Sequence, residues 1–100
     1  MEMDKIFGAL ADSTRRAILD ELADRDGQSL YELCVRLIML RKIDMTRQAI
    51  SKHLAILEDA RLIRIEWSGR QKLHYVNTEP IEKIRGGWLK SISQPGKPSE

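Results

Sequence analysis

The stretch from Met45 to Ile63, MTRQAISKHLAILEDARLI, constrains the fold of this chain more than any other segment. Thr46 is suited to a helix N-cap, because its hydroxyl can accept from the free backbone N–H groups of the first turn. Beyond it Ile50, Leu54 and Leu57 recur at helical spacing, with Ile56 alongside, and define one apolar face. At about 100° per residue, Gln48, Ser51, Lys52 and Ala55 fall on the opposite face, with Arg47 at its edge. No long acidic side chain occupies the first two turns of that face. A helix entering the DNA major groove needs such a surface: short donors and acceptors for base edges, basic ends for phosphates, and small residues for close approach. An ordinary amphipathic helix shares the apolar periodicity, so the rest of the chain has to separate the two readings.

Charge is the first discriminator. The net charge is only +2, but it is unevenly spread. Residues 1–35 carry four basic and eight acidic side chains, a balance of −4. Residues 36–72 carry nine basic ones (Arg36, Arg41, Lys42, Arg47, Lys52, Arg61, Arg64, Arg70 and Lys72) against four acidic, a balance of +5. A basic middle between acidic or neutral flanks is the footprint of a phosphate-facing surface. At 100 residues, 42% of them hydrophobic, the chain suits one domain with one modest core. No run approaches a membrane span and MEMDKIFGAL lacks the marks of a signal peptide, so a cytoplasmic location with no membrane partner is expected. Cys34 is the single cysteine, which leaves neither an intrachain disulfide nor a thiolate cluster for zinc. With no nucleophile–base constellation and no phosphate-cradling glycine loop, neither an enzyme nor a cofactor is expected.

Along the chain, a first helix is expected over Glu2 to Leu10, with Met3, Ile6, Phe7 and Leu10 on one face. Asp12 or Ser13 caps a second helix reaching about Ala23, and DRDGQ then breaks the pattern at Gly27. Ser29 with Glu32 is a capping box opening a third helix, with Leu30, Leu33, Cys34, Leu37 and Leu40 inward. A connection from Lys42 to Met45 leads into the helix already described, completing a helix-turn-helix. Next, Leu62–Glu66 and Lys72–Val76 read as two strands around a turn at Gly69, a wing whose tip carries Arg70 and Lys72. Pro80 opens a last helix with Ile81, Ile84, Trp88 and Leu89 in a stripe, weakened in the middle by Gly86-Gly87.

The expected fold is therefore mainly α with a small β-hairpin: an α+β winged helix-turn-helix of four helices, two strands and a last helix. It occupies residues 1–92, with a disordered tail over 93–100. The terminal stripes (Met3, Ile6, Phe7 and Leu10; Ile81, Ile84 and Trp88) are expected to form a homodimer interface. That would set two recognition helices on one side, about one DNA turn apart.

The segments FGALADSTRRAILDEL (Phe7 to Leu22), YELC (Tyr31 to Cys34), RQAISKHLAILEDARLI and WSGRQKLHYV resemble the ArsR/SmtB-type family of bacterial winged helix-turn-helix repressors. The first and third carry the family patterns L-A-D-x-T-R-x-x-I-L and x-S-x-H-L-x-x-L. The resemblance implies a homodimeric repressor on a palindromic operator, dimerised through its first and last helices. It implies that helix 46–60 enters the major groove with Arg47, Gln48, Ser51 and Lys52, while the 66–72 wing brings Arg70 to the backbone or minor groove.

Departures from the family are equally informative. Metal-sensing members carry a Cys-x-Cys pair in the third helix, but here Cys34 is followed at the second position by Arg36. Members with ligands on the last helix have Asp and His there, whereas this chain has Glu82 and no His between Pro80 and Leu89. No metal site is therefore expected, and His53 and His74 are read as packing or phosphate-proximal residues. Arg61 replaces the glycine that usually follows the recognition helix and must take up a left-handed cap or end the helix differently. Release from DNA is left to an unidentified protein partner, to a change in abundance, or to a small-molecule inducer between protomers. The competing class is a winged-helix module that binds another protein instead of DNA.

Overall fold

A computed structural model describes residues 2–94, with side chains from Met3 onward. Four helices come first: α1 (Glu2–Leu10), α2 (Ser13–Asp24), α3 (Leu30–Arg41) and α4 (Arg47–Asp59). Strands β1 (Ile63–Ser68) and β2 (Gln71–Val76) follow, and then α5 (Glu79–Ile84). The helical path continues from α5 through a π-helical segment, Arg85–Leu89, into a last turn, α6 (Lys90–Ile92). The winged helix-turn-helix expected from sequence is thus present, in the expected order. Of the tail expected over 93–100, residues 95–100 lie outside the described residues.

The helix starts are chemical. Asp12 accepts from the Arg15 N–H at 3.0 Å to open α2, and that hydrogen bond holds its carboxyl below the usual aspartate value. Ser29 and Glu32 form the reciprocal capping box at α3, and the Thr46 hydroxyl accepts from the Ala49 N–H at 3.0 Å at α4. Each such cap is worth about 1 kcal/mol. Two non-glycine residues take left-handed backbone at helix ends, Lys42 (φ 58°) after α3 and Arg61 (φ 61°) after α4. At Arg61 its own N–H reaches the Glu58 carbonyl and the Leu62 N–H the Leu57 carbonyl, both at 2.9 Å. This is the paired closure usually built on glycine, so the first of the two alternatives for Arg61 is the one adopted.

The core is one cluster drawn from the helices α1 to α5 and from β1, with Val76 of β2 packed against it. Ile18 and Leu22 of α2, Leu33 and Leu37 of α3, and Ile50, Leu54 and Leu57 of α4 are buried together with Leu62 and Ile63. Ile6 and Ile84 are buried in this same core, and Met3, Leu10 and Ile81 pack against it. All five were expected to face a second copy; Ile6 and Ile84 are instead taken up by the protomer's own core, while Met3, Leu10 and Ile81 keep part of their surface exposed. Two other apolar residues depart from expectation in the opposite sense. Leu40, expected inward, is 59% exposed in the last turn of α3, and Ile56 is 45% exposed on α4. Apolar periodicity marks a helix face but not the point at which its neighbours stop covering it.

The hairpin is longer than expected and tightly turned. Ser68 pairs with Gln71 across the two-residue turn Gly69-Arg70, and positive φ is confined to Gly69, as in a type II′ turn. The loop before α3 is tied to β2: Gly27 N–H donates to the His74 carbonyl and His74 N–H to the Gln28 carbonyl, both at 2.9 Å. A side chain at Gly27 would be strained by its φ of 76°, and a Cβ, 2.9 Å from the Tyr75 hydroxyl, would oblige that ring to shift.

Candidate nucleic-acid interface

Local chemistry sets the recognition helix on a rigid base. Its inner residues Ile50, Leu54 and Leu57 are fixed in the core, which turns Arg47, Gln48, Ser51 and Lys52 outward, and all four are exposed. On the wing, Arg70 and Lys72 are exposed as well. A groove of about 360 Å³ runs between α4, the start of α3 and β2, and Arg47, Ser51, Arg70 and Lys72 all line it. Gln48 and Lys52 stand on the same exposed side of α4 outside this groove.

Ion pairing sorts the nine cations of residues 36–72. Arg36 and Arg41 both bond the carboxylate of Glu21, which is 1% exposed, and Arg41 also reaches Asp24 at 2.8 Å. Arg64 pairs with Glu66 and lies over the Tyr75 ring at 4.5 Å, on the face of the hairpin away from the groove. Lys72 is only loosely held, 3.9 Å from Glu58. Lys42, Arg47, Lys52, Arg61 and Arg70 make no ion pair among the described residues. Three of these five, Arg47, Lys52 and Arg70, stand on α4 and the wing tip, where phosphates would be met, while Lys42 and Arg61 follow the ends of α3 and α4.

Arg36, in the position of the second cysteine of metal-sensing members, is thus spent on joining α3 to α2 through Glu21. Burial alone would push the Glu21 carboxyl up, but hydrogen bonds from Arg36, Gln28 and Arg41 outweigh it and hold it below the usual glutamate value. Gln28 completes the network: its Nε2 donates to Glu21 Oε2 at 3.1 Å and to the Arg25 carbonyl at 2.7 Å. Since those neighbours are acceptors, the amide orientation is fixed, and Gln28 Oε1 is left buried with no partner. Among the described residues no group of three or more His, Cys, Asp and Glu side chains could hold a metal ion.

The two histidines are separate. His74 is buried; its Nδ1 donates to the Gln28 carbonyl at 2.8 Å, and burial lowers its pKa. His53 accepts at Nδ1 from Arg15 Nη1 at 3.2 Å, while Arg15 Nε donates to the Ala9 carbonyl at 2.8 Å and Nη2 to Gly8. Arg15 therefore binds two of the C-terminal carbonyls of α1 and anchors α4 to them, joining two of the sequence segments that carry the family resemblance. Periodicity gave no sign of this link, because its partners lie 38 residues apart. Sequence reasoning also passed over Tyr31, whose ring is 69% exposed at the start of α3 and lines the same groove. Cys34 is half-buried against the core, and burial pushes its thiol pKa up.

A helix-turn-helix with an exposed polar-basic second helix, flanked by a basic wing, defines a DNA-binding protein of the winged type. Comparison with known proteins narrows the class. Residues 10–66 match the model of a helix-turn-helix domain family. The chain is 49% identical over 86 residues to the Uncharacterized HTH-type transcriptional regulator YuzN of Bacillus subtilis (strain 168), covering 86% of this chain and 94% of that one. Among solved structures it is similar to the ArsR family transcriptional regulator RHA00566, with a TM-score of 0.75 and 32% identity over 92% of this chain and 87% of that one. It is also similar to an ArsR-like transcriptional regulator from Rhodococcus sp. RHA1, with a TM-score of 0.65 and 30% identity over the same shares of the two chains. The chain belongs to the ArsR family of helix-turn-helix transcriptional regulators, and it is a DNA-binding regulator of transcription.

Proposed function

We propose that the protein is a homodimeric repressor that reads a palindromic operator. Helix α4 lies in the major groove, presenting Arg47, Gln48, Ser51 and Lys52, and the wing sets Arg70 and Lys72 on the backbone or in the adjacent minor groove. The observation that carries this reading is the convergence of Arg47, Ser51, Arg70 and Lys72 on one groove, while other cations of the same basic segment are folded into ion pairs.

Dimerisation is proposed through α1 and the last helix. Phe7 and Trp88 meet edge to face at 5.7 Å, and Trp88, Leu89 and Ile92 remain substantially exposed. Beyond Ile84 no residue of the last helix is buried. The radius of gyration, 15.7 Å, exceeds the roughly 13 Å of a compact chain of this length, as it would for a protomer with a helix projecting for a partner to cover.

The protein is proposed to act in the cytoplasm as one folded unit over residues 1–92, without enzymatic activity. No helix among the described residues is long and apolar enough to cross a membrane. With Arg36 engaged by Glu21, which disfavours a metal at that position, release from DNA is proposed to come from a protein partner, a change in abundance or a small molecule.

Hydroxyl-radical footprinting on the DNA upstream of the gene tests the proposal. The expected pattern is two protected patches about one helical turn apart, and binding to the same DNA in a gel-shift titration should be unchanged by EDTA. A single unsymmetrical patch would overturn the dimeric reading. Loss of gel-shift binding in EDTA would overturn the metal-independent one, and no protection on any DNA selected from a random pool would favour the protein-interaction module.

A further inference from the structure

We propose that Trp67 is a DNA-contacting residue of the wing, its indole lying against the sugars and base edges of the minor groove next to the phosphates held by Arg70 and Lys72. The proposal rests on the DNA-binding reading above and goes further by assigning an apolar contact to a wing read so far only through its charges.

Strand register places the indole. Along β1, Ile63 is buried and Ile65 half-buried, while Arg64 and Glu66 between them are exposed, so odd-numbered residues face the core. Trp67 continues that row. Its partner across the ladder is Lys72, just as Ile65 faces the buried His74 and Ile63 faces Val76. The inner face of the hairpin thus runs from core, through Ile65 and His74, out to Trp67 and Lys72 and on to Arg70 at the tip. Lys72 lies 3.9 Å from Glu58 on α4 and lines the groove of the recognition helix, so this face of the tip looks toward that groove.

At the point where the row leaves the core stands an indole that is 68% exposed. The residue lies outside the protomer's core cluster, and solubility alone would favour a polar residue there. The surface beside it is basic rather than apolar, which suits a polyanion. Apolar side chains in minor grooves pack against sugars or wedge into base steps, and the indole N–H can donate to phosphate or to the acceptors of the groove floor. The far face of the hairpin, with Arg64 paired to Glu66 and stacked on Tyr75, has its charge already neutralised.

The test combines anisotropy of a fluorescein-labelled duplex with tryptophan emission. A mixed-sequence duplex of about 30 base pairs is long enough for two half-sites one turn apart. The chain has two tryptophans, so Trp67→Phe leaves Trp88 alone to report. DNA should change the emission of the unmodified protein and leave that of Trp67→Phe unaltered. Trp67→Ala should weaken binding about tenfold with the salt slope preserved, because an apolar contact releases no counterions. Trp67→Phe should lose less.

Parental affinity in Trp67→Ala, or emission indifferent to DNA, would overturn the proposal while leaving the DNA-binding reading intact. So would a lowered salt slope, which would mean that the substitution displaces the basic residues of the wing. An emission change with protein concentration alone that is present in the unmodified protein and absent from Trp67→Phe would assign the indole to a contact between copies instead. Failure of the unmodified protein to bind any duplex would overturn both.

Discussion

Asn77, the residue that leaves the wing, donates through Nδ2 to the carbonyl of Arg61, the residue that leaves the recognition helix, at 2.8 Å. The Asn77 N–H reaches the Leu62 carbonyl at 2.9 Å. Together they clamp the joint between α4 and the hairpin around a backbone, φ 61°, that an L-residue adopts at a cost of about 1–2 kcal/mol. Arg61→Gly relieves that cost and adds some entropy to the unfolded chain, so stability should rise by about 0.5–1 kcal/mol in urea unfolding. Asn77→Ala should lower it by about 1 kcal/mol. An Arg61→Gly variant no more stable than the parent would show that the joint is not strained.

Glu21 sets an acid limit on stability. Its folded pKa is lowered, so its contribution is fully present above the ordinary glutamate value of about 4.3 and is lost as pH falls through the lower folded value. Glu21→Ala leaves two arginines facing a void and should cost about 3 kcal/mol at pH 7. The figure belongs at the low end for a buried pair, because the Arg36 and Arg41 side chains remain 29% and 26% exposed. Glu21→Gln should flatten the decline in urea midpoint between about pH 5 and 3. An undiminished decline in that variant would assign the acid sensitivity to other carboxylates.

Cys34 should be a poor redox sensor. Burial raises its thiol pKa, so little thiolate is present at neutral pH. Iodoacetamide at pH 7.5 should modify it more slowly than a free thiol, and Cys34→Ser should bind DNA with parental affinity. Rapid alkylation accompanied by release from DNA would contradict this.

Trp88 should report on assembly. Trp88→Asp places a charge in the proposed contact between last helices while removing no residue from the protomer's own core, since Trp88 is 47% exposed. Sedimentation should find the parent dimeric and the variant monomeric, with an unchanged circular dichroism spectrum. A variant that remains dimeric would move the interface elsewhere.

What the sequence disclosed was mostly local. Thr46, Asp12 and the Ser29–Glu32 box announce helix starts because a cap involves residues three apart, and Gly69 announces its turn because few other residues accept that φ. The exposed polar face of α4 was legible for the same reason: its buried residues Ile50, Leu54 and Leu57 set its rotation. Contacts distant in sequence were not legible. Arg36 and Arg41 read as part of a phosphate-facing surface until Glu21, 15 and 20 residues away, is seen to claim them. The Arg15–His53 bond was equally hidden. Gly86-Gly87 was visible as a weakness in the last helix, but not as a π-helical segment that the chain passes through without ending. Ile6 and Ile84 read as interface residues because amphipathicity gives an apolar face without saying whether core or partner covers it.

The central claim, that α4 and the wing bind DNA, is tested most directly by titrating the protein against its own upstream DNA at two salt concentrations with excess nonspecific competitor. Lys52→Ala and Arg70→Ala are measured in parallel. Saturable binding should survive the competitor and weaken steeply with salt, and each substitution should reduce the slope of log affinity against log salt by about 0.9 per lost phosphate contact. Binding that is absent, or that ignores both salt and these two side chains, would contradict the account.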